Sequence, residues 1–144
     1  MTMPLRARQR ATQQTAPLAV TVVFTNPKET ESALRAAATL AEGLNASIQI
    51  IVMRVVPFPL PLTRPHIPVT FTEHQVREVA FSVGVDADIR VIDCRDREET
   101  LMRFVPEHSV VVMSGGRRWL PNRQSRLARL LRQKGHEVVL VDAK

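Results

Sequence analysis

Five stretches of the chain are apolar almost throughout: "PLAVTVVF" (Pro17 to Phe24), "SIQIIVMRVV" (Ser47 to Val56), "ADIRVID" (Ala87 to Asp93), "SVVVM" (Ser109 to Met113) and "EVVLVD" (Glu137 to Asp142). They are rich in β-branched residues and run apolar instead of alternating. This pattern predicts strands buried on both faces, as parallel sheets covered by helices require.

The polar stretches between them carry helical spacing. In "NPKETESALRAAATLAEGLNA", Asn26 stands at a cap position, Pro27 at the first helical position and Glu29 where a capping box closes. Leu34, Ala37, Ala41 and Leu44 then recur on one face. A second helix is predicted from about Thr72 to Val83, ended by Gly84, and a short third one in "DREETLMRFVPEH", with Leu101, Met102 and Val105 inward and Pro106 as its stop. In "NRQSRLARLLRQKG", Leu127, Leu130 and Leu131 make the inward face, Arg123, Arg126 and Arg129 a basic row, and Gly135 the C-terminal cap. Strands and helices alternate throughout, which predicts an α/β fold: a doubly wound, open five-stranded parallel sheet with helices on both faces.

One segment interrupts the rhythm. "VVPFPLPLTRPHIPVTFT" contains five prolines, and its core, residues 57–68, reads as an extended surface connection. A rigid crossover and a lid or partner-binding strip both fit it.

With 144 residues, 44% of them hydrophobic, the chain encloses one core of ordinary size, so residues 17–144 are read as a single domain. Residues 1–16 are polar with three arginines and no acid, and are read as a disordered basic tail. No apolar run approaches the roughly 20 residues of a membrane helix, which predicts a protein without membrane insertion. The single cysteine, Cys94, excludes an internal disulfide and fits a reducing, cytoplasmic location. The net charge of +6 is concentrated at the ends: residues 114–144 carry eight basic and two acidic side chains, the middle of the chain nine and twelve. Such a distribution attracts phosphates, nucleic acid or an acidic partner and bears on association, not on fold.

In a doubly wound sheet, ligands lie beyond the carboxyl ends of strands where the winding reverses. Two loops have that position: "FTNPKE" after the first strand and "MSGGRRWLPNRQS" after the fourth. Glycines let backbone N–H groups approach a phosphate, a following helix N-terminus adds partial positive charge, and arginines grip an anion in forked geometry. The candidate nucleotide- or phosphate-binding residues are therefore Thr25, Asn26, Met113, Ser114, Gly115, Gly116, Arg117, Arg118, Arg123 and Ser125. A solvated basic loop is the competing reading. Trp119 is read as a packing anchor beside Leu120 in preference to a base-stacking ring. His66, His74, His108 and His136 are scattered without metal-ligand spacing, so no metal is expected. Cys94 lies among acids that oppose thiolate formation, and no base is placed to activate a nucleophile, so no catalytic residue is assigned.

From Pro17 to Asp142, the strand–helix order, "VVPFPLPL" followed by a long loop, and "VVVMSGG" before a helix and terminal strand resemble the universal stress protein family. The resemblance implies the strand order 3-2-1-4-5, a homodimer through the last strand, and ATP or another nucleotide as ligand. In ATP-binding members the fourth strand runs into glycine, two residues, glycine, nine residues, then glycine followed by serine or threonine. Here Ser114 and Arg117 stand at the first two glycine positions, and with a gap Gln124 and Ser125 come to the third. Those relatives also end strand one with an aspartate, where this chain has Thr25 or Asn26. Two functions stay open on this ground: a universal-stress-like module binding a nucleotide or other phosphate ligand between the first and fourth strand ends, and a ligand-free dimeric scaffold acting through protein or nucleic-acid contacts.

Overall fold

Nine elements alternate in the computed structural model, which describes residues 18–56, 67–107, 109–114 and 123–141. They are strand β1 (Ala19–Val23), helix α1 (Pro27–Leu44), strand β2 (Ser47–Val55), helix α2 (Val69–Val83), strand β3 (Asp88–Cys94), helix α3 (Arg97–Phe104), strand β4 (Val110–Ser114), helix α4 (Arg123–Gln133) and strand β5 (Glu137–Val141). The expected basic tail, most of the proline-rich connection, Trp119 and the Gly115–Arg118 loop lie outside the described residues.

All strands are parallel, in the order β3-β2-β1-β4-β5. The register follows from the apolar runs. Val20, Val22, Ile50, Val52 and Val112 face one side, where they pack with Ala33, Leu34, Ala37 and Ala41 of α1 and Val76 and Ala80 of α2. Val23, Ile51, Met53, Val111 and Met113 face the other, against Leu101 and Val105 at the end of α3 and Leu127, Ala128 and Leu131 of α4. The central strands β1 and β4 are buried on both faces, which is why they contain no alternation; β3, at an edge, leaves Asp88 and Arg90 exposed. Leu44, expected inward, is 41% exposed at the last residue of α1.

Helix ends obey local chemistry. Asn26 caps α1, its side chain accepting from the Glu29 N–H at 2.9 Å. Asp96 caps α3 in the same way through the Glu99 N–H at 3.1 Å. Gly84 and Gly135 adopt positive φ, 77° and 97°, at the ends of α2 and α4, as their type allows. Asn45 does so at the end of α1, with φ of 52°.

Helix α2 starts at Val69, three residues before its expected start, although "VTFT" is β-branched and Pro68 offers no side-chain cap. The support is tertiary. Arg54 on β2 makes a forked pair with Asp93 on β3, Nε to Oδ1 at 2.7 Å and Nη2 to Oδ2 at 3.0 Å. Its remaining nitrogen donates to the Ile67 carbonyl at 2.7 Å and the Thr72 hydroxyl at 2.9 Å. One guanidinium thereby fastens the entry of α2 to two strands.

Candidate functional site

After β1 the chain leaves toward the face covered by α1; after the neighbouring β4 it leaves toward the face covered by α4. The winding reverses between these two strand ends, the position at which doubly wound sheets form their ligand crevice. Its first wall is the loop Phe24, Thr25, Asn26 and the opening turn of α1. The Phe24 N–H donates to the Ile51 carbonyl at 2.9 Å, which keeps the loop on the sheet. The Thr25 N–H donates to Thr30 Oγ1 at 3.2 Å, and Thr25 Oγ1 donates to Glu29 Oε2 at 3.0 Å. Only half of the expected capping box is therefore formed: Glu29 supplies its N–H to Asn26, but its carboxylate takes the Thr25 hydroxyl. Glu29 was not among the site residues expected from sequence. Its polar contact with Thr25 is between positions four apart across a helix start, where spacing alone is mute.

The second wall is the end of β4. Met113 is fully buried and its side chain belongs to the core against α4, so only its backbone reaches the crevice edge. Ser114, one residue on, is turned by strand alternation to the α1 face and is 1% exposed. Its hydroxyl has no hydrogen-bond partner. The other three buried hydroxyl residues are all engaged: Ser109 Oγ donates to the Ala19 carbonyl at 3.1 Å, Thr21 lies 2.6 Å from Ser109 Oγ, and Thr30 accepts from Thr25. Gln49 Nε2 is also buried and unpartnered, but it stands in the lower half of β2, away from the carboxyl ends. An orphaned buried hydroxyl at the switch point is the kind of exception that calls for a ligand or a water.

Of the remaining expected residues, Gly115, Gly116, Arg117 and Arg118 fall outside the described residues, Arg123 opens α4, and Ser125 is half-buried on its first turn. Arg126 of the basic row points elsewhere: its Nε lies 3.0 Å from Glu98. That pair borders a second cleft of about 550 Å³, lined by Val55, Arg95, Asp96, Arg97, Glu98 and Arg126 at the ends of β2 and β3. "DCRDREE" joins the end of β3 to the start of α3, and its position beside α4 is not readable from spacing. Cys94 is buried in the α3–α4 core. Among the described residues, no group of histidine, cysteine and carboxylate side chains is placed to hold a metal ion, and no helix is long and apolar enough to cross a membrane.

No family model matches the chain, and no curated protein matches it. Solved structures do. A universal stress protein from Archaeoglobus fulgidus superposes with a TM-score of 0.63 at 14% identity, over 88% of this chain and 93% of that one. This chain has the universal stress protein fold. The universal stress protein from Archaeoglobus fulgidus in complex with dAMP is also similar, with a TM-score of 0.59 at 15% identity over 88% and 97% of the two chains. So is a universal stress protein in complex with cAMP, with a TM-score of 0.52 at 15% identity over 87% and 98%. The 3-2-1-4-5 order implied by the sequence resemblance is the observed one.

Proposed function

We propose that the chain is a small binding module of the universal stress type that holds a nucleotide, of the adenine class that includes ATP, dAMP and cAMP, in the crevice between β1 and β4. The observation that carries this reading is the Ser114 hydroxyl, buried and unpartnered at the point where the winding reverses. The two similar proteins in complex with dAMP and cAMP support the ligand class. In this reading Ser114 Oγ donates to a ligand oxygen. Gly115 and Gly116 admit the phosphate, Arg117 and Arg118 supply charge, and Arg123 and Ser125 meet it at the start of α4, where helix N–H groups favour an anion. Thr25 and Asn26 form the opposite wall. Because Arg117 stands where ATP-binding relatives have glycine and Arg118 flanks it, charge takes over from close backbone approach, and binding weakens as salt rises.

The module acts as a homodimer through β5, in the cytoplasm and in a stress response. The strand Glu137–Val141 is a sheet edge with neither lysine nor proline, and Leu140 on it is 37% exposed. Pairing with its own copy closes such an edge. Titration calorimetry of wild type and the Arg117→Ala/Arg118→Ala variant with ATP, dAMP and cAMP tests the site. A saturable heat that falls at least tenfold in affinity in the variant is expected; equal affinity in both would place the ligand elsewhere.

A second reading, a scaffold without ligand that works through protein or nucleic-acid contacts, is favoured by one observation. The Thr25 hydroxyl and the Asn26 side-chain oxygen already serve their own loop. Absence of heat with every nucleotide at millimolar concentration would select it.

A further inference from the structure

The outward face of α2 carries large apolar side chains that the fold does not use. Val76 and Ala80 point into the core, and the opposite face presents Phe71, His74, Glu78 and Phe81 in one stripe. At 100° per residue these four positions fall within about 80° of arc. Phe71 is 55% exposed and Phe81 86%, and Ile67, just before the helix at the Phe71 end, is 49% exposed. Between the two phenylalanines His74 Nε2 lies 3.1 Å from Glu78 Oε1, both side chains 70% exposed. An isolated surface leucine is ordinary, but two phenylalanines in line on one helix, framing a histidine–carboxylate contact, make a patch of the sort that marks a contact surface.

The stripe is self-complementary. Phe71 and Phe81 lie equally far on either side of Val76, and so do His74 and Glu78, nearer to it. Two copies of α2 packed antiparallel about a two-fold axis at Val76 set each Phe71 against the Phe81 of the other copy. The same operation sets each His74 against a Glu78. At 100° per residue Gln75 and Ser82 flank the stripe on one side and Thr70 and Arg77 on the other, so each flank meets its own copy across the axis; the charged residue among them, Arg77, is paired within its helix to Glu73 at 3.1 Å. A two-fold interface requires that residue i meet j while j meets i, and few surface stripes satisfy this in both their apolar and their charged positions.

We infer that the outward stripe of α2 is an isologous docking surface for a second copy of this chain, with Phe71 and Phe81 as its apolar anchors and His74–Glu78 as its register pair. It is separate from the β5 edge, since α2 packs beside β3 at the opposite side of the sheet. Antiparallel helices pack at about 8–10 Å, and ten residues of rise separate the phenylalanine pairs by about 15 Å, room for a two-layer aromatic contact on each side of the axis.

Sedimentation velocity of the full chain from about 1 to 200 µM tests this, with Leu140→Lys as the background so that the β5 edge does not contribute. The stripe should give a concentration-dependent dimer in that background. Phe81→Glu, and His74→Glu, which places Glu opposite Glu78 of the other copy, should each raise the dissociation constant tenfold or more. The charge exchange His74→Glu/Glu78→Lys should restore it to within about threefold; because the exchange also sets a Glu–Lys pair at i,i+4 within the helix, thermal midpoints measured alongside separate the interface from helix stability. Thermal midpoints should move by no more than about 2 °C in these variants, since a like-charge i,i+4 pair costs about 0.2–0.5 kcal/mol, too little to account for a tenfold change in association. A protein that stays monomeric throughout, a His74→Glu variant that dimerises as wild type does, or an exchange variant as weak as the single substitution would each overturn the inference, the first by assigning the stripe to a different kind of partner.

Discussion

Replacing Ser114 by alanine should make the ligand-free protein more stable. The Ser114 hydroxyl is 1% exposed and unpartnered, and a buried polar group left without a partner costs about 1–3 kcal/mol relative to its hydrated state in the unfolded chain. Alanine removes that cost. It leaves a void of roughly one oxygen, some 15 Å³, which at about 24 cal/mol per Å³ returns about 0.4 kcal/mol. The balance favours the variant by roughly 1 kcal/mol, a rise of about 4 °C in midpoint for a domain of this length. With ligand the order should reverse. Wild type gains stability as RT ln(1 + [L]/Kd), about 2.7 kcal/mol at a hundredfold excess over Kd, whereas the variant, having lost a hydrogen bond to the ligand, gains less. Differential scanning calorimetry of both proteins, with and without millimolar dAMP, measures both signs. A Ser114→Ala protein less stable than wild type by more than about 0.5 kcal/mol without ligand would refute the reasoning, because the hydroxyl would then have a partner within the fold. Stabilising substitutions that cost binding are the expected signature of a functional site.

Arg54→Ala should destabilise by about 2–3 kcal/mol in urea unfolding. It strands Asp93, only 13% exposed, and releases the start of α2. Arg54→Lys, which keeps the charge but not the fork, should fall between, and a loss below about 0.5 kcal/mol in the alanine variant would mean the clamp is idle. Asn26→Ala should cost about 1 kcal/mol through loss of the α1 cap, checked by the same unfolding curves. Thr21→Val should cost about 0.5–1.5 kcal/mol, the net worth of one hydrogen bond, because Ser109 keeps its bond to the Ala19 carbonyl, whereas Thr21→Val with Ser109→Ala should cost less than the sum of the single changes.

The strands were legible because β1, β2, β4 and β5 are apolar runs in the sequence; β1 and β4 are covered on both sides, whereas β5, at the edge, buries only Val138. Caps were legible too: Asn26, Pro27, Gly84 and Gly135 act within one helical turn, so their chemistry is local. The early start of α2 was not, because it depends on Arg54 and Asp93, which are 39 positions apart and meet only when β2 and β3 pair. Of the site, the two loops at the switch point followed from strand order. What spacing cannot say is which polar atoms the fold satisfies by itself: Thr25 and Asn26 read as ligand contacts and serve their own loop, while Ser114, a mere substitute for glycine in the sequence, is left with its hydroxyl unpaired. The stripe on α2 was hidden for a related reason. Spacing assigns this helix no inward face; burial of Val76 and Ala80 decides it and leaves Phe71 and Phe81 outside.

The most direct test of the account is a calorimetric titration of the purified full chain with dAMP and cAMP, with ATP and ADP alongside, at low and at high salt. The account predicts saturable heat at about one nucleotide per chain, with affinity that falls as salt rises and falls again in Ser114→Ala. No heat with any nucleotide at millimolar concentration would contradict it.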